Sequence, residues 1–428
     1  MIPHHLTALL SRPAAVMGAG LSGRAAEALL KRQGFDVVVY DEHASDACQT
    51  FHPEYAQRHG LVVYSPGFSK EHPWLEIARS AGCRCLGELE FAAHCWQGRL
   101  IAITGTNGKT TLTQFLGFAL RHVGWETVVA GNVGVPFSKV CAEASNTRGA
   151  VALCEVSSFQ SESLETFPAH TILWTNFSED HLDRHTGLAD YFKAKWRLIE
   201  VQRLKTRIIF GPSIPAAAER FGHTFPATAV VVDPLEEDGI PPEGSVFKTV
   251  PQQDNYRLAH AFWRAEGLPL GELQACARRF RLPPHRLQQI AEIKGIRFWN
   301  DSKATNFAAT LAALSHFDKP VYWIGGGLPK GGDRAPFVRQ LASKVHAAFL
   351  IGTTAVDLER ELGRQGTPAR RFATLEAAVA DAYALATPQG NVVLSPGFAS
   401  FDMFPGYAER GICFEKAVLS LNKRKCRL

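Results

Sequence analysis

The stretch Leu100-Ile-Ala-Ile-Thr-Gly-Thr-Asn-Gly-Lys-Thr-Thr111 joins an apolar run to a glycine-containing turn that ends in Lys-Thr-Thr. An apolar strand, such a turn and a following helix are typical of a P-loop, whose backbone N–H groups surround phosphate oxygens. Lys109 would supply positive charge and Thr110 could bind Mg²⁺. A plain glycine-rich turn with a solvated lysine is the alternative, which the position of Lys-Thr-Thr at a helix start disfavours. Because Ile103 stands where the standard pattern has glycine, the loop is a variant P-loop.

Composition indicates a globular protein of several domains. The chain has 428 residues, 46% of them hydrophobic, and a net charge of +5. We expect two to four domains from this length. The basic cluster at 423–427 is interpreted as a solvated terminus, so nucleic acid is not an expected partner.

The cysteines and the apolar runs bear on the cellular compartment. Nine scattered cysteines without a CxxC pair favour free thiols in a reducing cytoplasm. The first residues show no signal-peptide pattern, and the apolar runs have the length of strands, far short of a membrane span. We therefore expect a cytoplasmic protein with no membrane partner.

The first block of the chain, 1–97, has the layout of a nucleotide-binding βαβ unit. Glycines 18, 20 and 23 follow an apolar run, a helix pattern comes next, and a second apolar run ends at Asp41. This spacing favours an acid that binds a ribose. A turn followed by a helix-capping acid is the alternative interpretation.

Strand and helix patterns continue to alternate through a second block, 98–281, which contains the P-loop, and a third, 282–428. The paired prolines before His285 separate these two blocks. Alternating elements predict mostly parallel sheets with right-handed crossovers. The predicted fold is α/β in three domains, each a mostly parallel sheet with flanking helices: Rossmann-like, P-loop and Rossmann-like.

Polar residues stand where several predicted strands end. Glu155 follows the run Val151–Cys154, and His181 lies in a polar stretch after Thr171–Trp174. An acid at the carboxyl edge of a sheet beside a P-loop can hold Mg²⁺, although it can also cap a helix. Lys195 has the spacing of an ordinary surface lysine on a helix. Three polar loops in the third block could line a substrate crevice.

Seven motifs, in order along the chain, resemble those of the Mur ligase family, and the resemblance extends from Gly18 to Phe414. They are Gly105–Thr111, Gly131–Gly134, Glu155–Gln160, Glu179–Asp183, Pro284–Arg286, Asn300–Asn306 and Leu394–Asp402. The family form of the loop also accounts for Ile103. The last three motifs are similar to those of the glutamate-adding members rather than of the members that add alanine, a diaminoacid or a dipeptide.

The resemblance implies roles for individual residues. The catalytic and metal-binding group implied is Lys109, Thr110, Glu155, His181 and Lys195, with Lys195 carbamylated by CO₂ so that it supports a second Mg²⁺. The implied ATP contacts are Gly105, Thr106, Asn107, Gly108, Lys109, Thr110, Thr111, Asn132, Asn255, Arg286 and Asp301. The implied contacts to the UDP part of the acceptor are Gly20, Leu21, Ser22 and Asp41. The implied glutamate pocket is Lys303, Thr305, Lys330, Ser400, Phe401 and Tyr407.

The activity that the resemblance implies is ATP-dependent addition of D-glutamate to UDP-N-acetylmuramoyl-L-alanine through an acyl phosphate, in the synthesis of peptidoglycan precursors. ATP, two Mg²⁺ ions and small-molecule substrates would be the ligands, and we expect a monomer. The chain departs from the family pattern at Leu258, where a second asparagine is usual, and at Phe401 and Tyr407 in the glutamate pocket.

Three alternatives remain open from the sequence. The ligase could prefer L-glutamate, since two pocket residues depart from the pattern. A folylpolyglutamate-synthase-like ligase would share the domain order but would be expected to lack the first block. A non-catalytic P-loop regulator would leave the matches at His181, Lys195 and Ser400 without a role.

Overall fold

A computed structural model describes residues 2–143, 145–202, 205–235, 239–249, 251–318 and 320–423. The described chain forms three sheets, of four, six and six strands. The predicted α/β fold with mostly parallel sheets is therefore confirmed. The basic residues 424–427 lie outside the described residues, as does part of the Pro-rich segment 234–244 that the sequence suggests is a surface loop.

The first sheet is parallel throughout and has the order β2-β1-β3-β4. Its strands are β1 (Ala14–Met17), β2 (Val37–Tyr40), β3 (Leu61–Tyr64) and β4 (Arg84–Gly87). Its helices are α1 (His4–Thr7), α2 (Leu21–Arg32), α3 (Pro53–Ala56), α4 (Pro73–Ser80) and α5 (Glu88–Cys95). Residues of β1 and β3 are buried on both faces, as expected for a parallel sheet covered by helices.

The central sheet has the order β10-β9-β8-β5-β7-β6, and its strands are parallel. The strands are β5 (Arg99–Thr104), β6 (Thr127–Gly131), β7 (Val151–Glu155), β8 (Thr171–Trp174), β9 (Arg207–Phe210) and β10 (Val230–Val231). The helices are α6 (Lys109–His122), α7 (Phe137–Cys141), α8 (Ser158–Ser161), α9 (Leu188–Glu200), α10 (Ile214–Arg220), α11 (Gln252–Ala265) and α12 (Leu270–Arg279). Strand β5 lies between β7 and β8, so the loop after β5 opens at the middle of the carboxyl edge.

The third sheet has the order β11-β12-β16-β13-β14-β15. Its strands are β11 (Gln288–Ile293), β12 (Ile296–Asn300), β13 (Val321–Gly325), β14 (Ala347–Leu350), β15 (Ala369–Arg371) and β16 (Asn391–Leu394). Its helices are α13 (Phe307–Leu314), α14 (Arg334–Ala342), α15 (Ala355–Arg364), α16 (Leu375–Leu385) and α17 (Tyr407–Lys423). The pair β11–β12 is antiparallel, and the remaining pairs of this sheet are parallel.

The chain divides into two compact units. The first consists of 1–177, 189–248 and 252–280 and contains the first and central sheets. The second consists of 178–188, 249–251 and 281–428 and contains the third sheet. The segment 178–188, which precedes α9 in sequence, thus belongs to the second unit.

Several elements differ from the sequence prediction. Strand β11 and helix α17 were not predicted, and the residues 255–279, whose pattern indicates helix, belong to two helices, α11 and α12. Strand β11 is an edge strand with a register irregularity between Gln289 and Ala291, and this irregularity interrupts the alternation of exposed and buried side chains. The sequence pattern indicates a helix from Arg24, whereas helix α2 begins at Leu21, directly after Gly20 of the glycine turn.

An ion cluster lies at the amino edge of the central sheet. Arg99, the first residue of β5, donates two hydrogen bonds of 2.8 Å to the carboxylate of Glu266, and Arg207 donates a third of 2.6 Å. Burial opposes the ionisation of Glu266, but the two guanidinium groups outweigh it and hold the pKa of that carboxyl below its ordinary value of 4.5. The cluster joins the start of two strands to the end of α11.

Glu266→Gln should lower the free energy of unfolding by about 1–3 kcal/mol at neutral pH, because three charge-assisted hydrogen bonds are weakened. A group whose pKa is depressed on folding contributes stability above its unfolded pKa and loses it as pH falls through the folded pKa. The difference between variant and wild type, measured by thermal or urea unfolding, should therefore shrink below about pH 4. Glu272→Gln is the control, because its carboxylate forms an exposed pair with His122. An equal loss in both variants would contradict this account.

Candidate active site

The turn after β5 can adopt its conformation only with glycine at two positions. Gly105 has φ +138° and Gly108 has φ +86°, both in the left-handed region. A Cβ at Gly105 would overlap the hydroxyl of Thr175, and one at Gly108 would overlap the side-chain amide of Asn255. Gly108 caps the amino end of α6, which begins at Lys109. The turn therefore presents backbone N–H groups and a helix amino end to an anion.

The backbone of the turn is held in place from the end of β8. Thr175 donates a hydrogen bond of 2.6 Å to the carbonyl of Asn107. Asn176 makes three bonds to the turn: its side-chain amide donates to that carbonyl at 3.0 Å, its Oδ1 accepts from the Asn107 N–H at 2.9 Å, and its carbonyl accepts from the Thr106 N–H at 3.0 Å. The loop is thus pre-organised by the neighbouring strand.

Two lysines contact the same carbonyl of the turn. Lys109 Nζ donates to the carbonyls of Gly105 and Thr106, each at 2.8 Å. Lys195 Nζ, from α9, also lies 2.8 Å from the Gly105 carbonyl and 4.9 Å from the centre of the Tyr191 ring. The interpretation of Lys195 as a surface lysine, based on spacing alone, is wrong, because its side chain is only 1% exposed.

Glu155 is a buried carboxylate beside the loop. It is the last residue of β7, where the sequence analysis places it just after the strand, and it pairs in register with Ile103 of β5. Its Oε1 accepts a hydrogen bond of 2.8 Å from the side-chain amide of Asn132, whereas its Oε2 is buried and has no hydrogen-bond partner in the described chain. A buried carboxylate oxygen in this state favours a cation beside it.

The groups around the loop suit a Mg²⁺ ion that is shared with a nucleotide. Among the described residues, no three or more His, Cys, Asp or Glu side chains form a cluster that could hold a metal by themselves. Mg²⁺ is usually bound by one or two carboxylates and completed by substrate phosphates and water. The partner-free oxygen of Glu155 and the hydroxyl of Thr110, in the first turn of α6, meet that description.

Asn255 and its neighbours on α11 close one side of the loop. The Asn255 side chain is 1% exposed and donates a hydrogen bond of 2.9 Å to Gln252 Oε1. Leu258, where the family pattern has a second asparagine, is fully buried in the core. A leucine there therefore offers packing and no polar contact.

The glycine turn of the first sheet is closely packed and ends on an exposed apolar side chain. A Cβ at Gly23 would overlap the carbonyl of Gly18, so the helix and the turn approach closely. Leu21 is 85% exposed at the start of α2. Both oxygens of Asp41 accept backbone N–H groups, from Ala19 at 2.7 Å and from residues 43 and 44, and these bonds lower the pKa of Asp41. Through these hydrogen bonds, the ionised Asp41 fixes the turn that carries Gly20 and Ser22.

In the second unit, His181 and Lys330 meet at a buried acid. Asp180 accepts from Lys330 Nζ at 3.1 Å and from the Asn306 side chain at 3.0 Å, and His181 Nε2 lies 3.6 Å from its Oδ2. Burial alone would raise the pKa of Asp180, but Lys330 and His181 outweigh it and hold that pKa well below its usual range. Lys330 also lies 3.3 Å from Thr305 Oγ1.

Asp301 is a second buried acid of this unit. It accepts from Ser395 Oγ at 2.8 Å and from the Leu287 N–H at 3.0 Å. Burial raises the pKa of Asp301 to about 7, against the opposing effect of these bonds and of the Arg286 charge. Arg286 lies between two residues with left-handed backbone, His285 (φ 64°) and Leu287 (φ 44°). The turn that presents Arg286 is therefore fixed at Asp301.

The other residues predicted for the glutamate pocket lie on three segments. Lys303 follows β12, Ser400 and Phe401 follow β16, and Tyr407 begins α17. Lys303 Nζ lies 4.1 Å from the centre of the Tyr407 ring, a distance typical of a cation–π contact. Ser400 is buried, whereas Phe401 is 71% exposed. The exposed phenyl group is available to a ligand.

Sequence reasoning assigned no role to three residues that brace these sites. Thr175, Asn176 and Asp180 lie in or next to the polar stretch after β8, and that position is the signal that could have identified them. The turn residues that Thr175 and Asn176 bind, however, are at least 68 residues away in the chain, and Asn306 and Lys330, which bind Asp180, are 126 or more away. Such pairings follow from the order of the strands and not from local pattern.

A variant P-loop at the middle of a parallel sheet, with a buried acid level with it on the next strand, defines a P-loop nucleotide-using enzyme. Residues 103–224 match the Mur ligase middle domain, and residues 285–398 match the Mur ligase, glutamate ligase domain. The chain belongs to the Mur ligase family, whose members are ATP-dependent ligases that form amide bonds.

Curated relatives match over nearly the whole chain. The UDP-N-acetylmuramoylalanine–D-glutamate ligase of Caldanaerobacter subterraneus subsp. tengcongensis is 33% identical over 95% of this chain and 98% of its own. The ligase of the same name from Solibacter usitatus is 34% identical over 96% of this chain and 98% of its own. That of Pelobacter propionicus is 35% identical over 86% of this chain and 85% of its own.

Solved structures share the fold. A UDP-N-acetylmuramate-alanine ligase from Thermotoga maritima covers 96% of this chain and 99% of its own, with a TM-score of 0.59 and 15% identity. A folylpolyglutamate synthase of Mycobacterium tuberculosis, complexed with ADP, covers 74% and 91%, with a TM-score of 0.57 and 16% identity. At these identities the likeness extends to the fold alone.

Asn176→Ala should weaken ADP binding about five- to tenfold, because the turn loses two side-chain hydrogen bonds that fix its backbone. Isothermal titration calorimetry with ADP measures the effect. Ser213→Ala is the matched control, since Ser213 Oγ accepts from the N–H of Phe177, next to Asn176, without touching the turn. Equal ADP affinity in wild type and Asn176→Ala would show that the strand does not organise the loop.

Proposed function

We propose that the protein uses ATP to join UDP-N-acetylmuramoyl-L-alanine to D-glutamate in the synthesis of peptidoglycan precursors. The observation that carries the proposal is the convergence of Lys109, Lys195 and Glu155 on the loop Gly105–Gly108 at one edge of the central sheet. The substrates are those of the curated relatives named above, which match the chain nearly from end to end.

The proposed reaction has two steps. An oxygen of the alanyl carboxylate attacks the γ-phosphorus of ATP, which forms an acyl phosphate and releases ADP. The glutamate amine then attacks the acyl carbon, loses a proton, and displaces inorganic phosphate to leave an amide. Lys109 and the N–H groups of the turn stabilise the negative charge on the transferred phosphoryl group.

The metal and carbamate groups are part of the proposal. Thr110, Glu155 and a carbamylated Lys195 are the groups of the first unit that would hold Mg²⁺, which neutralises charge on the phosphoryl group when it is bound. The Lys195 ammonium loses one proton to give the neutral amine, which joins CO₂ and releases a second proton, so that a carbamate anion replaces the ammonium. His181 keeps the metal-binding and acceptor-binding role that the family motif implies.

The remaining binding roles follow the match between this chain and the family motifs, residue by residue. The turn from Gly20 to Ser22, with Asp41 as its anchor, would receive the UDP part. The ATP contacts proposed beyond the loop are Asn132, Asn255, Arg286 and Asp301. In the second unit, Lys303 and Lys330 supply positive charge for a dicarboxylate amino acid, and Ser400 and Thr305 supply hydroxyl groups. Phe401 and Tyr407 would shape the pocket and bear on whether D- or L-glutamate is preferred.

Several wider properties also remain proposals. The domains would be 1–97 for the UDP substrate, 98–281 for ATP and 282–428 for glutamate. We propose a cytoplasmic monomer whose partners are small molecules. Within the described ranges, the helices lack the combination of length and apolar character that crossing a bilayer requires.

The wild-type protein should release phosphate from ATP only when UDP-N-acetylmuramoyl-L-alanine and D-glutamate are both present, because the acyl phosphate is consumed only by the amine. A coupled phosphate assay, with mass spectrometry of the product, measures this. L-Glutamate should give less than about one tenth of the rate, since one pocket discriminates the two enantiomers. Phosphate release that needs neither substrate would reject the ligase function, and preference for L-glutamate would select the alternative specificity.

Lys195→Ala should reduce the rate at least about a hundredfold, because the proposed carbamate can no longer support the metal. Added acetate or formate should restore part of the activity by placing a carboxylate in the vacated space. Lys193→Ala is the matched control, since Lys193 is exposed on the same helix. Normal activity in Lys195→Ala would refute any role for the residue, and a loss without recovery would count against the carbamate.

A further inference from the structure

Arg410 is a fully buried guanidinium in the first turns of α17. Its side chain is among the largest in the protein with less than 2% exposure. Burial lowers the pKa of Arg410 to about 10, against the opposing charges of Asp402 and Asp301. A buried charge of this kind is costly unless its donors are used, so its hydrogen bonds indicate what it does.

Those bonds go to neutral oxygens on two loops of the second unit. The Nε and Nη2 atoms donate to Ser302, to its hydroxyl at 3.0 Å and to its carbonyl at 2.9 Å. The Nη1 atom donates to the carbonyls of Phe398 at 3.2 Å and Ala399 at 3.4 Å. The Ser302 hydroxyl in turn donates to the carbonyl of Tyr407 at 2.8 Å, at the start of the same helix.

The residues bonded to Arg410 are immediate neighbours of the proposed glutamate-binding side chains. Ser302 directly precedes Lys303 in the turn after β12. Ala399 directly precedes Ser400 in the loop after β16, and Tyr407 is itself a proposed pocket residue. One planar fork therefore joins the segment at Ser302 to the segments at 398–399 and Tyr407, which lie about a hundred residues further along the chain.

We infer that Arg410 is a positioning residue that holds these three segments in the geometry needed to bind glutamate. The inference rests on the proposed function, since it concerns the pocket for the amino-acid substrate. Arg410 is buried behind the loops and acts through Ser302 and the 398–399 carbonyls. Loss of the fork should therefore affect glutamate more than the other two substrates.

Arg410→Lys separates charge from geometry. A lysine retains the positive charge and much of the buried length, but its donors radiate from one nitrogen and cannot reach both loops as the fork does. We expect the KM for D-glutamate to rise at least about tenfold, while kcat changes less than about threefold. The KM values for ATP and for UDP-N-acetylmuramoyl-L-alanine should stay within about twofold of wild type.

Ser302→Ala is the second variant, and it keeps the experiment decisive if Arg410→Lys does not fold. It removes the hydroxyl that bridges Arg410 and Tyr407 but leaves the bond to the Ser302 carbonyl. The KM for D-glutamate should rise about threefold or more, again without matching changes for the other substrates. An unchanged glutamate KM in Ser302→Ala and in any soluble Arg410→Lys protein overturns the inference.

Leu362→Ala controls for simple destabilisation of the same unit. Leu362 is fully buried in α15, in a hydrophobic cluster that includes the ring of Phe398 but none of the proposed pocket residues. The variant should lower the melting temperature and leave the glutamate KM unchanged. If it raises the glutamate KM as Arg410→Lys does, or if all three KM values rise together in Arg410→Lys, the role of Arg410 is only structural.

The same assays distinguish failure of the inference from failure of the proposed function. Wild-type protein that joins no D-glutamate to the acceptor rejects the function and the assignment of the pocket with it. If the wild-type protein joins D-glutamate to the acceptor, but Arg410→Lys changes all three KM values equally or changes none of them, only the positioning role is rejected.

Discussion

The turn Gly105–Gly108 must keep one conformation if it and the amino end of α6 are to hold phosphate, and the end of β8 and two lysines fix that conformation. The end of β8 binds the backbone of Thr106 and Asn107, and the two lysines bind the Gly105 carbonyl. This arrangement requires β5 to lie between β7 and β8. The parallel order of the central sheet is thus what makes the loop a rigid anion site and what brings Glu155 level with it.

In the second unit, buried ionisable groups fix loops by bonding to neutral or oppositely charged partners. Asp180 holds Lys330, Asp301 fixes the turn that carries Arg286, and Arg410 joins the loops around Ser302 and Ala399. Each of these ionisable groups is costly to bury and is matched by several hydrogen bonds, so each favours one arrangement of its loop. The side chains proposed to bind the substrate lie on loops of this unit, and the buried groups fix the positions of those loops.

Much of the fold could be predicted from local pattern. The apolar runs became β1, β5 and β13, and the glycine turns fell where helices begin. Strand β11 was not predicted, because its register irregularity interrupts the alternation of exposed and buried side chains. Helix α17 was not predicted either. The predicted metal and pocket residues lie at strand ends or on the elements that follow them, since function in parallel sheets concentrates at the carboxyl edge. Lys195 was misjudged on spacing alone, although it shares the buried face of α9 with Phe192, Trp196 and Ile199.

The sequence by itself determined the class of fold, the phosphate-binding turn and membership of a ligase family, because each depends on residues that are neighbours in the chain. Only the tertiary structure decided that Lys195 is buried against the Gly105 carbonyl, that Glu155 keeps an oxygen without a partner, and that Arg410 holds two loops. Burial and pairing depend on contacts between residues that are from 12 to 108 positions apart in the chain. Such contacts are set by strand order and packing, which local sequence pattern does not encode.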